Sequence, residues 1–205
     1  MASQREGEAI TPDPIQARRS FSRCDFVIHC TPDSIRPHRA SSMNPPFRPA
    51  TNADRPAIEA LVFSVLREYG LEPDPAGTDA DLRDIEGAYQ AAGGMFDVLM
   101  DAQGGVIGTV AVFRVDSMTC ELRKMYLVPA VRGRGLGRMM LEHALRRAAK
   151  LGFRRIVLET ASVLREAVVL YESRGFLRHS PGHMSARCDA AYYLDLDAQA
   201  TAPRG

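Results

Sequence analysis

The sequence predicts an α/β fold with a substantial sheet, and three observations carry that reading. From Met43 onward, short apolar runs alternate with amphipathic stretches. Three of the runs, Met95–Met100, Val106–Val115 and Glu121–Val128, follow one another with turn residues between them. A glycine-rich segment, Arg132 to Gly137, then stands between a strand-like run and a helix-like one.

Phe47–Ala50 reads as a short edge strand. Asn52 or Asp54 can cap a helix whose apolar positions Ile58, Leu61, Val62, Val65, Leu66 and Tyr69 recur at helical spacing until Gly70 stops it. A Pro- and Asp-rich connection, Glu72 to Asp79, leads to a second expected helix over Asp81–Gln90, ending at Gly93-Gly94. In the strand series, Gln103-Gly104-Gly105 and Asp116-Ser117 supply the hairpin turns. The glycine loop opens a helix to about Leu151 with Met140, Leu141, Ala144, Leu145 and Ala148 on its core face, and Gly152 closes it. Phe153–Thr160 reads as a strand, Leu164–Arg174 as a helix capped by Gly175, and Phe176–His179 and Tyr192–Asp195 as short late strands. There is no internal repeat.

Composition narrows the function. With 26 basic and 25 acidic residues the net charge is +1, far from the basic excess that drives non-specific nucleic-acid binding. No apolar run approaches the roughly 20 residues of a membrane span, so neither nucleic acid nor membrane is expected as a partner. Seven of the 13 prolines precede residue 50, and residues 1–42 carry 14 apolar side chains without periodicity. That segment reads as a disordered tail or, since Met43 precedes the first patterned element, as an over-extended N-terminus, with a single domain over 43–205. It lacks a secretory apolar stretch and carries five acids, unlike a transit peptide, so the expected location is cytoplasmic. Cys24, His29, Cys30 and His38 match none of the usual zinc spacings, and Cys24, Cys30, Cys120 and Cys188 read as reduced thiols; no metal is expected.

The glycine loop is the most informative stretch. Its order is Met125-Tyr126-Leu127-Val128-Pro129-Ala130-Val131-Arg132-Gly133-Arg134-Gly135-Leu136-Gly137-Arg138. A helix start exposes unpaired N–H groups and partial positive charge, and glycines let a ligand approach the backbone, so the arrangement suits a phosphate or pyrophosphate. The dinucleotide pattern fails because Arg138 stands where a third glycine is needed, and no Gly-Lys-Ser/Thr triphosphate loop exists. Three glycines at alternate positions and two flanking arginines exceed what packing alone requires.

Arg132-x-x-Gly135-x-Gly137, after a strand ending Leu127-Val128-Pro129 and before an amphipathic helix, resembles the acetyl-CoA signature of the GNAT superfamily of N-acetyltransferases. Arg48, Ala50, Asp54 and Ile58 resemble that family's opening strand and helix. Ala167 and Leu170-Tyr171-Glu172-Ser173-Arg174-Gly175-Phe176 resemble its late helix-to-strand motif, so the likeness spans roughly residues 46–197. It implies a mixed, mostly antiparallel central sheet with helices on both faces, splayed where acetyl-CoA binds. It also implies that Leu127 and Val128 pair with the pantetheine arm like an added strand. Backbone N–H groups of Arg132, Gly133, Arg134, Gly135, Leu136, Gly137 and Arg138 would cradle the pyrophosphate. The Arg134 and Arg138 side chains either add charge there or stay solvated. Exposed strand edges in this family often pair, which allows a homodimer.

Transfer from a thioester to an amine needs a neutral amine, a polarised carbonyl and a proton for the departing thiolate. The resemblance assigns the acid to Tyr171, whose ordinary pKa near 10 keeps it protonated; a core-facing helix tyrosine is the plainer alternative. Glu121 resembles a position where some members carry a base, with Glu159 the second choice and a solvent-facing carboxylate the alternative. On parity Glu121, Arg123, Met125 and Leu127 share a sheet face unless a bulge intervenes. Polarisation would come from a backbone N–H near Leu127. Many members carry Asn seven residues before the tyrosine; here that residue is Leu164, with Ser162 or Thr160 as polar replacements. His143 reads as a solvated surface residue, and His179 and His183 as candidates to line the acceptor site. Cys120 and Cys188 lack the His/Asp context of a nucleophile. The expected activity is direct acetyl transfer from acetyl-CoA to a primary amine in a ternary complex. Balanced charge over 43–205 points to a small or amino-acid-like acceptor. The rival is a non-catalytic acyl-CoA-binding sensor of the same fold.

Overall fold

The computed structural model describes residues 46–197. Seven strands form one sheet: β1 (Phe47–Pro49), β2 (Met95–Met100), β3 (Val106–Arg114), β4 (Thr119–Leu127), β5 (Arg155–Thr160), β6 (Leu177–His179) and β7 (Ala190–Asp195). Their order is β1-β2-β3-β4-β5-β7-β6, antiparallel except for the parallel pair β4·β5. Helix α1 (Arg55–Glu68) packs Ile58, Val62 and Leu66 on one face against Phe96, Val98 and Ala111. On the other face α2 (Leu136–Lys150) and α3 (Arg165–Ser173) pack Met140, Leu141, Ala144 and Tyr171 against Leu99, Val110, Ile156 and Leu158. The helices sit where the apolar periodicity places them because one stripe of each is apolar and must be buried. Among the described residues no helix is long and apolar enough to cross a membrane.

The expected helix over Asp81–Gln90 is not one α-helix. Ala80–Arg83 forms a 3-10 turn, Asp84 is extended, and Glu86–Ala91 forms a π turn. Asp84 Oδ1 accepts the Gly87 N–H at 2.9 Å and the Asn52 amide at 2.9 Å, while Glu86 takes the Asn52 N–H at 2.8 Å. These side chains offer partners to backbone donors and so compete with a continuous helix.

His143 is not a solvated residue. Its Nε2 lies 2.6 Å from the buried Asp97 carboxylate, and its ring stacks on Phe47 with centroids 3.9 Å apart. Asp97 points inward from β2, and a buried carboxylate requires a polar partner. The next turn of α2 brings Arg147 to 4.0 Å of the same oxygen.

Two departures from regular pairing shape the site. β4 pairs with β5 through Thr119–Glu121 against Arg155–Val157, so beyond Glu121 one edge of β4 faces open space. Across β3, Ala111 pairs with Arg123 but Thr109 with Tyr126, which leaves Lys124 and Met125 opposite Val110 as a bulge. Lys124 has φ 49°, and the buried Thr109 hydroxyl donates to its carbonyl at 2.7 Å. The bulge resolves the parity condition: Glu121 and Arg123 lie on the α1 face, whereas Met125 and Leu127 pack with the α2–α3 core.

Candidate active site

The gap between β4 and β5 opens into a cavity of about 1010 Å³. Leu127 forms part of its wall. Its neighbour Val128 spends its N–H on the Ile107 carbonyl at 3.0 Å, so by antiparallel alternation the Leu127 N–H and C=O face away from β3, toward the gap. The carbonyl accepts Arg132 Nε at 3.1 Å. The N–H is left to pair with whatever lies along the strand.

The glycine loop adjoins that end of β4. Gly135 caps α2 in the left-handed region at φ 79°, a conformation that costs L-residues roughly 1–2 kcal/mol. Helix α2 then starts at Leu136 with its first N–H groups unpaired. Arg132, Gly133 and Gly137 line the cavity; Val128, Arg134, Gly135, Leu136 and Arg138 do not. Arg138 is exposed and pairs with Glu142 at 3.2 Å. Arg132 turns its guanidinium to Glu68 at the end of α1, at 2.6 and 2.8 Å, and lies over the Tyr69 ring.

Tyr171 is buried on α3 and lines the cavity, its ring 5.7 Å from Phe176. Burial, with Tyr126 nearby, raises its hydroxyl above the ordinary value. Burial likewise pushes Tyr126, also in the wall, up to about 12. Glu121 and Glu159 both line the cavity. Glu121 accepts Arg123 Nη2 at 2.6 Å, and Glu159 accepts the Ser185 N–H at 2.8 Å. Leu164 and Thr160 are in the wall, whereas Ser162 gives its N–H and hydroxyl to Asp189 at 2.6 and 2.7 Å. His183 lines the cavity; His179 packs edge-on against Tyr193. Burial pushes Cys120 up to about 12 and raises Cys188, so neither is an activated thiol. Among the described residues no group of three His, Cys, Asp or Glu could hold a metal; the Cys24, His29, Cys30, His38 set lies outside them.

Sequence reasoning missed the charged part of the wall. Lys124 Nζ, nearly buried, donates to Asp79 at 2.7 Å and to the Thr78 carbonyl at 3.0 Å, and stands 3.2 Å from Asp81. Arg187 forks onto Asp79 at 2.6 and 2.7 Å. Burial works to raise the Asp79 carboxyl, but Arg187 and Lys124 outweigh it and hold it below the carboxylate range. Tyr89 gives its hydroxyl to Asp81 at 2.5 Å. The partners stand 45 and 108 residues apart, so no local spacing announces them.

The site combines a helix N-terminus, an unpaired strand edge, a buried tyrosine and carboxylates around one cavity. The sequence pattern of the acetyltransferase (GNAT) family matches residues 60–176. An uncharacterised N-acetyltransferase, YjgM, of Escherichia coli (strain K12) is 38% identical over 138 residues, covering 65% of this chain and 82% of that protein. A GNAT-family acetyltransferase structure from Staphylococcus aureus Mu50 superposes with TM-score 0.70 at 20% identity, covering 74% of this chain and 98% of that one. A phosphinothricin acetyltransferase from Sinorhizobium meliloti, solved with AcCoA, superposes with TM-score 0.61 at 23% identity, covering 79% and 94%.

Proposed function

The chain belongs to the acetyltransferase (GNAT) family and is an acyltransferase enzyme, and on that premise we propose that it acetylates the primary amine of a small molecule by direct attack within a ternary complex. Acetyl-CoA supplies the acyl group as a thioester and is consumed as a substrate. The observation that carries the reading is that the Leu127 edge, Gly133 and Gly137 of the glycine loop at the start of α2, and Tyr171 all border one cavity.

Each residue then has a task. The N–H groups at the start of α2, with Gly133 and Gly137 leaving room, hold the pyrophosphate. The unpaired Leu127 N–H binds the pantetheine arm or the thioester oxygen, which gains negative charge as the new C–N bond forms. Glu121, or Glu159 through the space they share, takes the ammonium proton before attack. The buried Tyr171 hydroxyl gives its proton to the sulfur as the C–S bond breaks. Arg132 acts by holding the loop to Leu127 and Glu68 rather than by offering a free charge.

This reading places the enzyme in the cytoplasm, assigns catalysis to residues 43–205 and leaves β1 and β6 as the sheet edges available to a homodimer. The test is release of free thiol from acetyl-CoA against a panel of primary amines, with calorimetry of acetyl-CoA binding alongside. Thiol release with at least one amine is expected. Tight binding without release for any amine would replace the proposal with an acyl-CoA sensor.

A further inference from the structure

Along β4 the cavity wall changes character, from Leu127 beside the glycine loop to the charged stretch Glu121–Lys124. Around that stretch three cations, Arg123, Lys124 and Arg187, meet three carboxylates, Asp79, Asp81 and Glu121, with Glu159 as a fourth from β5. A wall of alternating sign is poorly suited to a multiply charged polycation, whose further ammonium groups would meet Arg123 and Arg187. It suits a ligand that carries both signs.

Arg187 has donors to spare. A guanidinium carries five N–H groups, and Asp79 takes one from each terminal nitrogen, which leaves three on a side chain that lines the cavity. Asp79 is fully buried and fixes that guanidinium without exhausting it. Two buried polar atoms of the same wall lack a hydrogen-bond partner: Ser185 Oγ, two residues before Arg187, and Asp81 Oδ1, which has Lys124 in ion-pair range but out of hydrogen-bond geometry. Such atoms are uncommon, and a ligand with its own donors and acceptors satisfies them.

Resting on the acetyltransferase reading, we propose that the acceptor is a primary amine that also bears a carboxylate, an α-amino-acid-type zwitterion. Arg187 and Ser185 receive the carboxylate, and Glu121 and Glu159 face the amine. Arg187 is then the residue that sets specificity. A site built to hydrogen-bond a substrate group discriminates strongly against analogues that lack it, because its own buried groups are left unpaired.

The experiment measures thiol release by the full-length protein for three matched sets: α-amino acids, their carboxamides, and the corresponding decarboxylated amines, with spermidine as a polycation. We expect kcat/KM for an amino acid to exceed that for its carboxamide and its decarboxylated amine by at least about tenfold. Arg187→Gln should bring the amino acid down to the level of its carboxamide, through KM more than kcat, a fall at least several-fold larger than the carboxamide itself shows. Arg187→Lys, which keeps a cation against Asp79, carries the same test if the glutamine variant does not fold; the preference should drop several-fold. Equal or faster transfer to spermidine or the decarboxylated amines overturns this inference alone, as does an Arg187 variant that slows every acceptor equally. No thiol release with any acceptor overturns the acetyltransferase reading, and this inference with it.

Discussion

The Arg132 guanidinium grips the Glu68 carboxylate at 2.6 and 2.8 Å while its Nε holds the Leu127 carbonyl at 3.1 Å. One side chain thus joins the end of α1, the glycine loop and the last residue of β4. Arg132→Lys keeps the charge but loses the fork, so the loop should loosen and KM for acetyl-CoA rise by about 2–5-fold with kcat at saturation nearly unchanged. Steady-state kinetics at varied acetyl-CoA checks this. A fall in kcat with unchanged KM would place Arg132 in the chemistry instead.

Tyr171→Phe removes the proposed proton donor and keeps the ring that packs on Phe176. Thiol release should slow by roughly 10²–10⁴-fold, while the calorimetric affinity for acetyl-CoA stays within about threefold. Burial raises the Tyr171 hydroxyl above 10.0, so the group stays protonated through neutral pH. The wild-type rate should therefore climb as the acceptor ammonium loses its proton and show no descending limb below about pH 10. A descending limb near pH 8 in the wild type, absent in the variant, would contradict this.

Gly108 stands opposite Leu127, and a Cβ built on it would sit 2.8 Å from Leu127 Cδ2 and 3.2 Å from the Met140 sulfur. Gly108→Ala must displace the ends of the Leu127 and Met140 side chains, which pack in the core. The expected loss of stability is about 1–3 kcal/mol, accompanied by a higher KM for acetyl-CoA because both displaced side chains line the cavity. Urea titration and kinetics read the two effects separately.

His143→Ala would leave the buried Asp97 carboxylate with Arg147 at 4.0 Å as its nearest cation. Stability should fall by about 1–3 kcal/mol, against the ±0.5 kcal/mol of an ordinary surface change. Urea midpoints of wild type and variant give the difference. An unchanged midpoint would restore the surface reading.

Arg48 holds the Asp54 carboxyl down to about 2, against burial, which works to raise it, and with the Thr51 N–H and hydroxyl assisting. A carboxyl depressed in the folded state contributes stability that is complete above its ordinary value of 3.8 and lost as pH falls toward 2. Stability against urea should thus decline between about pH 4 and pH 2, and Asp54→Asn should be less stable at neutral pH and flatter across that window. Parallel declines in both proteins would assign the acid sensitivity elsewhere. Asp79, held below the carboxylate range by Arg187 and Lys124 against its burial, adds to the same decline, so the difference between wild type and Asp54→Asn carries the assignment.

The parts of the fold written in local spacing were legible. β2 covers Met95–Met100, the extent of its apolar run, and α1, α2 and α3 end within two residues of Gly70, Gly152 and Gly175. The segment after Asp79 was not, because Asn52, from before α1, competes for its backbone and side chains. His143 was misplaced for a related reason. Helical spacing puts it at the margin of the buried stripe, and whether that margin is wet depends on Asp97, 46 residues earlier. An acid inside the apolar run Met95–Met100 was the available signal, since it demands a buried partner.

The sequence by itself determined the order of strands and helices, the glycine loop between β4 and α2, and the likeness that led to the family. These are properties of neighbours in the chain, set by side-chain period, turn chemistry and helix capping. Tertiary structure alone decided which residues face the cavity. Lys124 shifts the pleat by one residue, so Glu121 and Leu127 leave β4 on opposite faces. Asp79, Lys124 and Arg187 become a charged wall because burial forces each to find a partner, and the partners come from segments that meet only once the sheet is built.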